Sequence, residues 1–406
     1  MRKPLLTTIA GVMTMLTAGA QEMPKQNTLD YQPGGRELRL TVPAGTLTLR
    51  AVSPAVVEVK FTPPGIADKY RSVTIVESRP VTTTLADKAG ELWFSTGQLT
   101  AAVEKATGRV RFLDSKGTEL LAEMADGRKF TPARVGGEAS WTPQQSFASP
   151  EDESLYGLGQ HQDGRLDWRG ETLRLWQANT EISIPFLWST KGYGLLWDNP
   201  SDTWFNPGET VPLQNKHGVI RVAEAGDYSL YLNHTEGAGC WDGENTILVS
   251  GKPLISILNK WVPYGTGATM KLEANRDYPV ELRGQGGLEL ILHKKTPVTT
   301  WRSKVGEAVD YYVIQGDTPG TDHRQLPGGQ RPRADDAEIR LGLLAVPRAL
   351  RQLEGADRGG PGIPPARDPG RHHRPGLDVL GQVRLECAEV GRAPLSRCPA
   401  ADQNPA

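Results

Sequence analysis

The chain is short of cysteine, of net charge, of long apolar runs and, over its last quarter, of aromatic residues altogether. Cys240, Cys387 and Cys398 are its three cysteines. They show neither metal-ligand spacing nor a paired framework, which excludes a disulfide scaffold and a zinc ribbon. A formal net charge of -1 over 406 residues supplies no field that would draw the chain to nucleic acid or to an anionic membrane. Neither nucleic acid nor a membrane span is therefore expected as a partner, and no cofactor and no metal is expected. Hydrophobic and charged fractions of 38% and 23% are ordinary for a globular protein.

The one apolar run that stands out lies at the start. Arg2 and Lys3 precede Pro4 to Thr17, and the run ends in Ala18-Gly19-Ala20. That order of basic, apolar and small residues is that of a cleavable secretory signal, and the run is too short for a bilayer span. Residues 1–20 are expected to be a signal peptide, and the mature chain to be periplasmic or secreted.

Short strands and tight turns follow. Leu38, Leu40 and Val42 alternate with polar neighbours, as do Val57, Val59 and Phe61 around Glu58 and Lys60. This is the period-two pattern of half-buried strands. Thr107-Gly108 and Lys116-Gly117 bracket Val110 and Phe112 as turns of a meander. The alternation recurs at Ile182, Ile184 and Phe186 and at Tyr193, Leu195 and Trp197, with Lys191-Gly192 as the turn between them. No amphipathic helix of three turns is visible, so an all-β sandwich is expected.

The densest stretch is Tyr156 to Asn206, which holds five of the ten tryptophans. Tryptophan and amide side chains at a sheet rim suit a sugar, because an aromatic face takes C–H patches while amides bond hydroxyls. The competing role for Trp176, Trp188 and Trp197 is core or interdomain packing. His161 is expected to be a polar histidine satisfied near a turn.

YGLGQHQDG followed by LWQANTEISIPFLWSTKGYGLLWDN resembles the N-terminal β-sandwich of family 31 glycoside hydrolases, the α-glucosidase and α-xylosidase family. The resemblance implies a galactose-mutarotase-like sandwich that packs against a catalytic (β/α)8 barrel. One sandwich loop helps wall the sugar site. By motif position that loop is Trp176 to Glu181, and the substrate-binding residues it implies are Trp176, Gln177, Asn179, Thr180 and Glu181. The implied partner is an oligosaccharide or polysaccharide substrate, with the barrel as the natural packing partner.

GDYSLYLN, ILVSGKPLI and MKLEANRDYPVEL resemble a protective-antigen-type β-barrel module, and TTWRSKVGEAVDYYVIQGD resembles the sandwich's closing strands. The expected organisation is a sandwich over 21–222, an inserted β module over 223–292, closing strands over 293–317 and an irregular tail over 318–406.

That tail carries the missing aromatics. All 27 Trp, Tyr and Phe residues (10 + 10 + 7) lie at or before Tyr312, and the last lysine is Lys304. Such a composition reads as a disordered linker or as a shifted translation frame. Read one base later, Pro319 to Leu326 permits Leu-Glu-Gln-Ile-Ile-Ala-Asn-Tyr, and Gly376 to Gln382 permits Asp-Trp-Met-Tyr-Trp-Gly. Ala334 to Arg348 likewise regains Trp, Tyr, Phe and Lys. These strings resemble the link into the family's barrel and its first strands, in order, so a frameshift near Thr318 is expected.

The consequence for mechanism is direct. Retaining glycoside hydrolysis needs two carboxyl groups about 5 to 5.5 Å apart. The family's nucleophile motif, Trp-x-Asp-Met-Asn-Glu, is absent here, and Asp335 and Asp336 are ordinary solvated acids of the tail. No catalytic residue is assigned. Two functions follow: a truncated exported α-glycosidase of family 31 represented by its carbohydrate-binding N-terminal region, and a non-catalytic carbohydrate-binding or structural sandwich. A stand-alone sugar mutarotase would need a His and carboxylate pair, and neither His161 nor His217 carries a partner motif.

Overall fold

The computed structural model describes residues 28–66, 72, 74–75, 81–161, 164–177, 181–235, 243–259 and 265–316. The segment expected to be a signal peptide, the three cysteines, Asn179, Thr180 and the tail from residue 318 lie outside the described residues. Every regular element among the described residues is a β-strand, as the alternating patterns require. No described helix is long and apolar enough to cross a membrane.

One face of the sandwich is an antiparallel eight-stranded sheet. Val309–Gln315 lies at its centre, between Val56–Thr62 and Tyr193–Trp197. Ile182–Ser189 and Leu155–Gln160 follow on one side, and Gly45–Ser53, Glu37–Val42 and Thr28–Tyr31 on the other. The facing layer is made of two five-stranded sheets joined by a bridge between Glu123 and Phe147. The first is the meander from Thr84–Lys88 to Glu119–Ala122. Its turns fall where Gly108 and Gly117 take φ of 68° and 84°, a region open to glycine at little cost. The second runs Lys129–Val135, Glu138–Ala148, Val298–Ser303, Thr203–Phe205 and Leu173–Leu175. Between the layers lies one core holding Leu38, Leu49, Val59, Phe94, Phe112, Trp197, Trp301 and Tyr311, each under 2% exposed.

The strand Val56–Thr62 departs from the half-buried expectation. Glu58 is 7% exposed, accepts a 2.9 Å hydrogen bond from the Tyr312 hydroxyl and pairs with Arg50. Lys60 pairs with Asp310 at 2.8 Å. The charged side of the strand is thus covered. Val52, Val56, Phe186, Leu196, Tyr312 and Ile314 pack there with Ile75 against them. Alternating charge marked two faces correctly, but the polar face is closed by cross-strand ion pairs instead of water.

A second unit has its own core around Leu230, Ile247, Leu272 and Leu290. A four-stranded sheet, Glu209–Thr210, Leu288–Lys294, Gly226–His234 and Thr266–Leu272, backs on a five-stranded one. The latter begins with Leu213–Gln214, paired with His217–Arg221, which in turn pairs with Asp277–Arg283. Residues 209–222, assigned to the sandwich on sequence, are therefore drawn into this unit by strand pairing. Its boundary had no composition shift to mark it.

The two units are joined by buried charge. Glu171 accepts from Lys295 Nζ at 2.7 Å and from Thr269 Oγ1 at 2.6 Å, and it pairs with Arg165. Arg165 in turn donates to the Gly267 carbonyl at 3.0 Å.

Candidate functional site

The YGLG motif shapes the first wall of the site. Gly157, Leu158 and Gly159 take φ of 112°, 62° and 110°, and the strand bulges between Gly157 and Gly159 against Ile182–Ser189. A Cβ on Gly159 would lie 1.9 Å from the Ile182 carbonyl oxygen, so this approach is open to glycine alone. The bulge turns His161 inward. Its Nε2 lies 3.0 Å from the Leu158 carbonyl oxygen, and its ring meets Trp168 edge to face at 5.3 Å. One ring nitrogen is thus met by a carbonyl close to the turn.

His161 nevertheless has a carboxylate beside it. Its Nδ1 is 3.7 Å from Glu181 Oε1, and the two side chains are 2% and 4% exposed. No sequence motif announced this partner; it arrives from the far side of the rim loop. Both side chains are buried, and the Leu158 carbonyl meets the other ring nitrogen.

The rim itself is the segment from Trp176 to Glu181. Trp176 is half-buried and Gln177 exposed. Ser183 Oγ donates to the Trp176 carbonyl at 2.8 Å, and Gln177 Nε2 donates to the Glu181 carbonyl at 2.9 Å. These two bonds close the loop at its base. Of the residues expected to touch a ligand, Trp176 and Gln177 reach the surface, Glu181 is turned inward against His161, and Asn179 and Thr180 lie outside the described residues. Trp188 is half-buried and stacks on Tyr156 at 5.6 Å. Trp197 belongs to the core, stacked on Trp301 at 5.8 Å with its Nε1 donating to Ser303 at 2.8 Å.

Arg174, which the sequence did not single out, lies beneath this rim. Its guanidinium is 4.6 Å from the Trp176 ring centroid. It donates to Asp202 through Nε at 3.1 and 3.2 Å and through Nη2 at 2.6 Å. Nη1 reaches the His234 carbonyl at 3.2 Å. Every direction of the fork is used, and a planar fork so held keeps its aromatic neighbour in one orientation.

Next to Arg174 opens a cleft of about 570 Å³ between the sandwich and the second unit. Its floor is one cross-strand row, Arg302, Trp204 and Arg174, on the outer side of the sheet whose inner row holds Leu173, Phe205 and Trp301. The second unit supplies the other wall through Asn233, Thr235 and Glu289, and Tyr231 meets Trp204 edge to face at 5.8 Å. Alternating polar residues on a strand end look like a solvated face in sequence. Only the presence of a second unit over them makes a cleft. Among the described residues no cluster of His, Cys, Asp and Glu could hold a metal ion.

Comparison with known proteins identifies the scaffold. Residues 46–206 match the glycosyl hydrolase 31 N-terminal galactose mutarotase-like domain. An α-xylosidase of Saccharolobus solfataricus is 33% identical over 138 residues, which cover 29% of this chain and 18% of the relative. An uncharacterized family 31 glucosidase of Pseudescherichia vulneris is 35% identical over 125 residues, covering 25% of this chain and 23% of the relative. The structure of a family 31 α-xylosidase from Xanthomonas citri shares the fold with a TM-score of 0.61 and 22% identity, covering 74% of this chain and 40% of that one. These matches span less than a quarter of the two sequence relatives and less than half of the structural one. Residues 46–206 are thus similar to the glycosyl hydrolase 31 N-terminal galactose mutarotase-like domain.

Proposed function

We propose that this chain is the N-terminal, sugar-contacting part of an exported family 31 α-glycosidase acting on α-xylosides or α-glucosides. Its rim from Trp176 to Glu181 forms one wall of the substrate pocket. The observation that carries this reading is the build of the rim: a half-buried tryptophan fixed by Arg174 and Ser183, beside an exposed amide. Such a wall orients a sugar ring and supplies no chemistry of its own. The names of the relatives, α-xylosidase and family 31 glucosidase, support the substrate class.

The catalytic barrel is then the sandwich's packing partner, and the reading frame departs from it near Thr318. Export rests on the basic, apolar and small-residue order of residues 1–20. The test is to determine the nucleotide sequence across Thr318 and to assay two proteins with a chromogenic α-xyloside. The 406-residue chain is expected to release no product, and the protein expressed from the continuous frame to hydrolyse the substrate. Turnover by the 406-residue chain, or nucleotides that do not encode the aromatic-containing strings one base over, contradicts the reading. The alternative, a binding or structural sandwich that never had a barrel, predicts that second outcome.

A further inference from the structure

We propose that the cleft between the sandwich and the second unit is a binding site for an acidic oligosaccharide, with Arg302 contacting the carboxylate of a hexuronic acid and Trp204 serving as the platform for its ring. This site is separate from the rim and does not depend on the role given to Trp176.

The key observation is the contrast between two arginines in one row. Arg174 is saturated by Asp202, Asn233 and the His234 carbonyl. Arg302, two strands away across Trp204, lines the same cleft, yet its guanidinium makes no ion pair and no side-chain hydrogen bond among the described residues. Arg111, by comparison, is held above its ordinary pKa, first by its hydrogen bond to Glu91. Desolvation moves Arg302 the other way, below its ordinary value. A half-buried cation without a counter-ion is costly to a fold, and an anion that enters relieves the cost.

The rest of the cleft says which anion. Its charged groups are Arg174, Arg302 and Lys304 against Asp202 and Glu289, which leaves one positive charge in excess. Asp202 is taken by Arg174, and Glu289 accepts from Asn233 Nδ2 at 3.1 Å. One excess charge matches a carboxylate better than a dianionic phosphate, which the Glu289 wall would repel twice over. A guanidinium forks onto a carboxylate through two parallel bonds. Trp204 is half-buried beside it and offers the aromatic surface that a sugar ring covers, while the Thr142 and Thr235 hydroxyls stand within the same cleft for ring hydroxyls. Its volume of about 570 Å³ suits one or two sugar rings.

Calorimetric titration of the full 406-residue protein tests the assignment with three matched probes: an oligosaccharide ending in glucuronic acid, its methyl ester, and the same oligosaccharide ending in glucose. The acid is expected to bind at least tenfold tighter than the other two at low salt, with the ester behaving like the neutral sugar. Arg302→Gln should abolish that preference and leave neutral binding unchanged; Arg302→Lys should keep part of it. Because Arg302 has no partner to lose, the Gln variant should melt no lower than the wild type. Trp176→Ala should leave the preference for the acid intact, which separates this site from the rim. Equal affinities for acid and ester, absence of binding by all three, or a preference that survives Arg302→Gln overturns the proposal.

Discussion

The Arg174 guanidinium lies 4.6 Å from the Trp176 ring centroid while Nη2 holds Asp202 at 2.6 Å. One side chain thus ties the rim of the proposed sugar wall to the floor of the neighbouring cleft. Its side chain is 7% exposed and that of Asp202 19%, so the pair is mostly out of water, where one partner without the other is expensive.

Arg174→Ala is therefore expected to lower stability by about 3 kcal/mol, since it leaves a desolvated carboxylate unpaired. Urea unfolding measures this. The emission of Trp176 should move to the red in the folded variant. Arg174→Lys should recover only part of the loss, because an ammonium cannot fork onto Asp202 and also reach His234.

Gly159 should tolerate no side chain. Its φ of 110° and the 1.9 Å approach to the Ile182 carbonyl combine strain with a backbone clash, and Gly159→Ala is expected to cost more than about 3 kcal/mol or to prevent folding. Gly164 has φ of 68° and no described atom within 4 Å of an added Cβ, so Gly164→Ala should cost only about 1 kcal/mol of backbone strain. Thermal melts of the two variants give the comparison.

Strand alternation made most of the sandwich legible, because Leu38, Leu40 and Val42 or Tyr193, Leu195 and Trp197 meet a core at every second residue. The covered charges of Glu58 and Lys60 were not legible, since ion pairing to Arg50 and Asp310 depends on strands distant in the chain. The motif pointed to Trp176–Glu181, where Trp176 is half-buried and Gln177 exposed. Arg174, Trp204 and Arg302 were missed for a physical reason: they lie on an outer sheet face that becomes a cleft only when residues 209–294 fold over it. His161 gains its neighbour Glu181 from pairing within the sandwich, where Gln160 lies opposite Ile182.

Burial in the second unit predicts a pH response. Desolvation pushes His234 down from 6.5 to about 4, and His293 is lowered, first by desolvation, in the same sense. Both are neutral when folded and bind protons more readily when unfolded. Their contribution to stability is fully present above pH 6.5 and is lost as pH falls from 6.5 toward 4. For His234 the loss is at most about 3 kcal/mol, at roughly 1.4 kcal/mol for each pH step between the unfolded and folded values. Urea midpoints measured across this window should fall, and His234→Asn should flatten the slope.

The Glu171 junction should control how the second unit is held. Burial raises the Glu171 carboxyl, but hydrogen bonds from Lys295 and Thr269 and the charges of Arg165 and Lys295 outweigh it, leaving its pKa below 4.5. Glu171→Ala leaves the part-buried Arg165 and Lys295 without their carboxylate and is expected to cost about 3 kcal/mol. Hydrogen exchange should accelerate at Thr266–Leu272, the strand that Glu171 and Arg165 bind.

Contact between the rim and a sugar can be followed by NMR titration of the intact chain with an α-xylosyl oligosaccharide, reading the Trp176 indole resonance. A saturable shift of that resonance and at least tenfold weaker binding in Trp176→Ala are expected if the rim holds sugar. A bound sugar that leaves the Trp176 signal unmoved, with Trp176→Ala binding as tightly as the wild type, contradicts it.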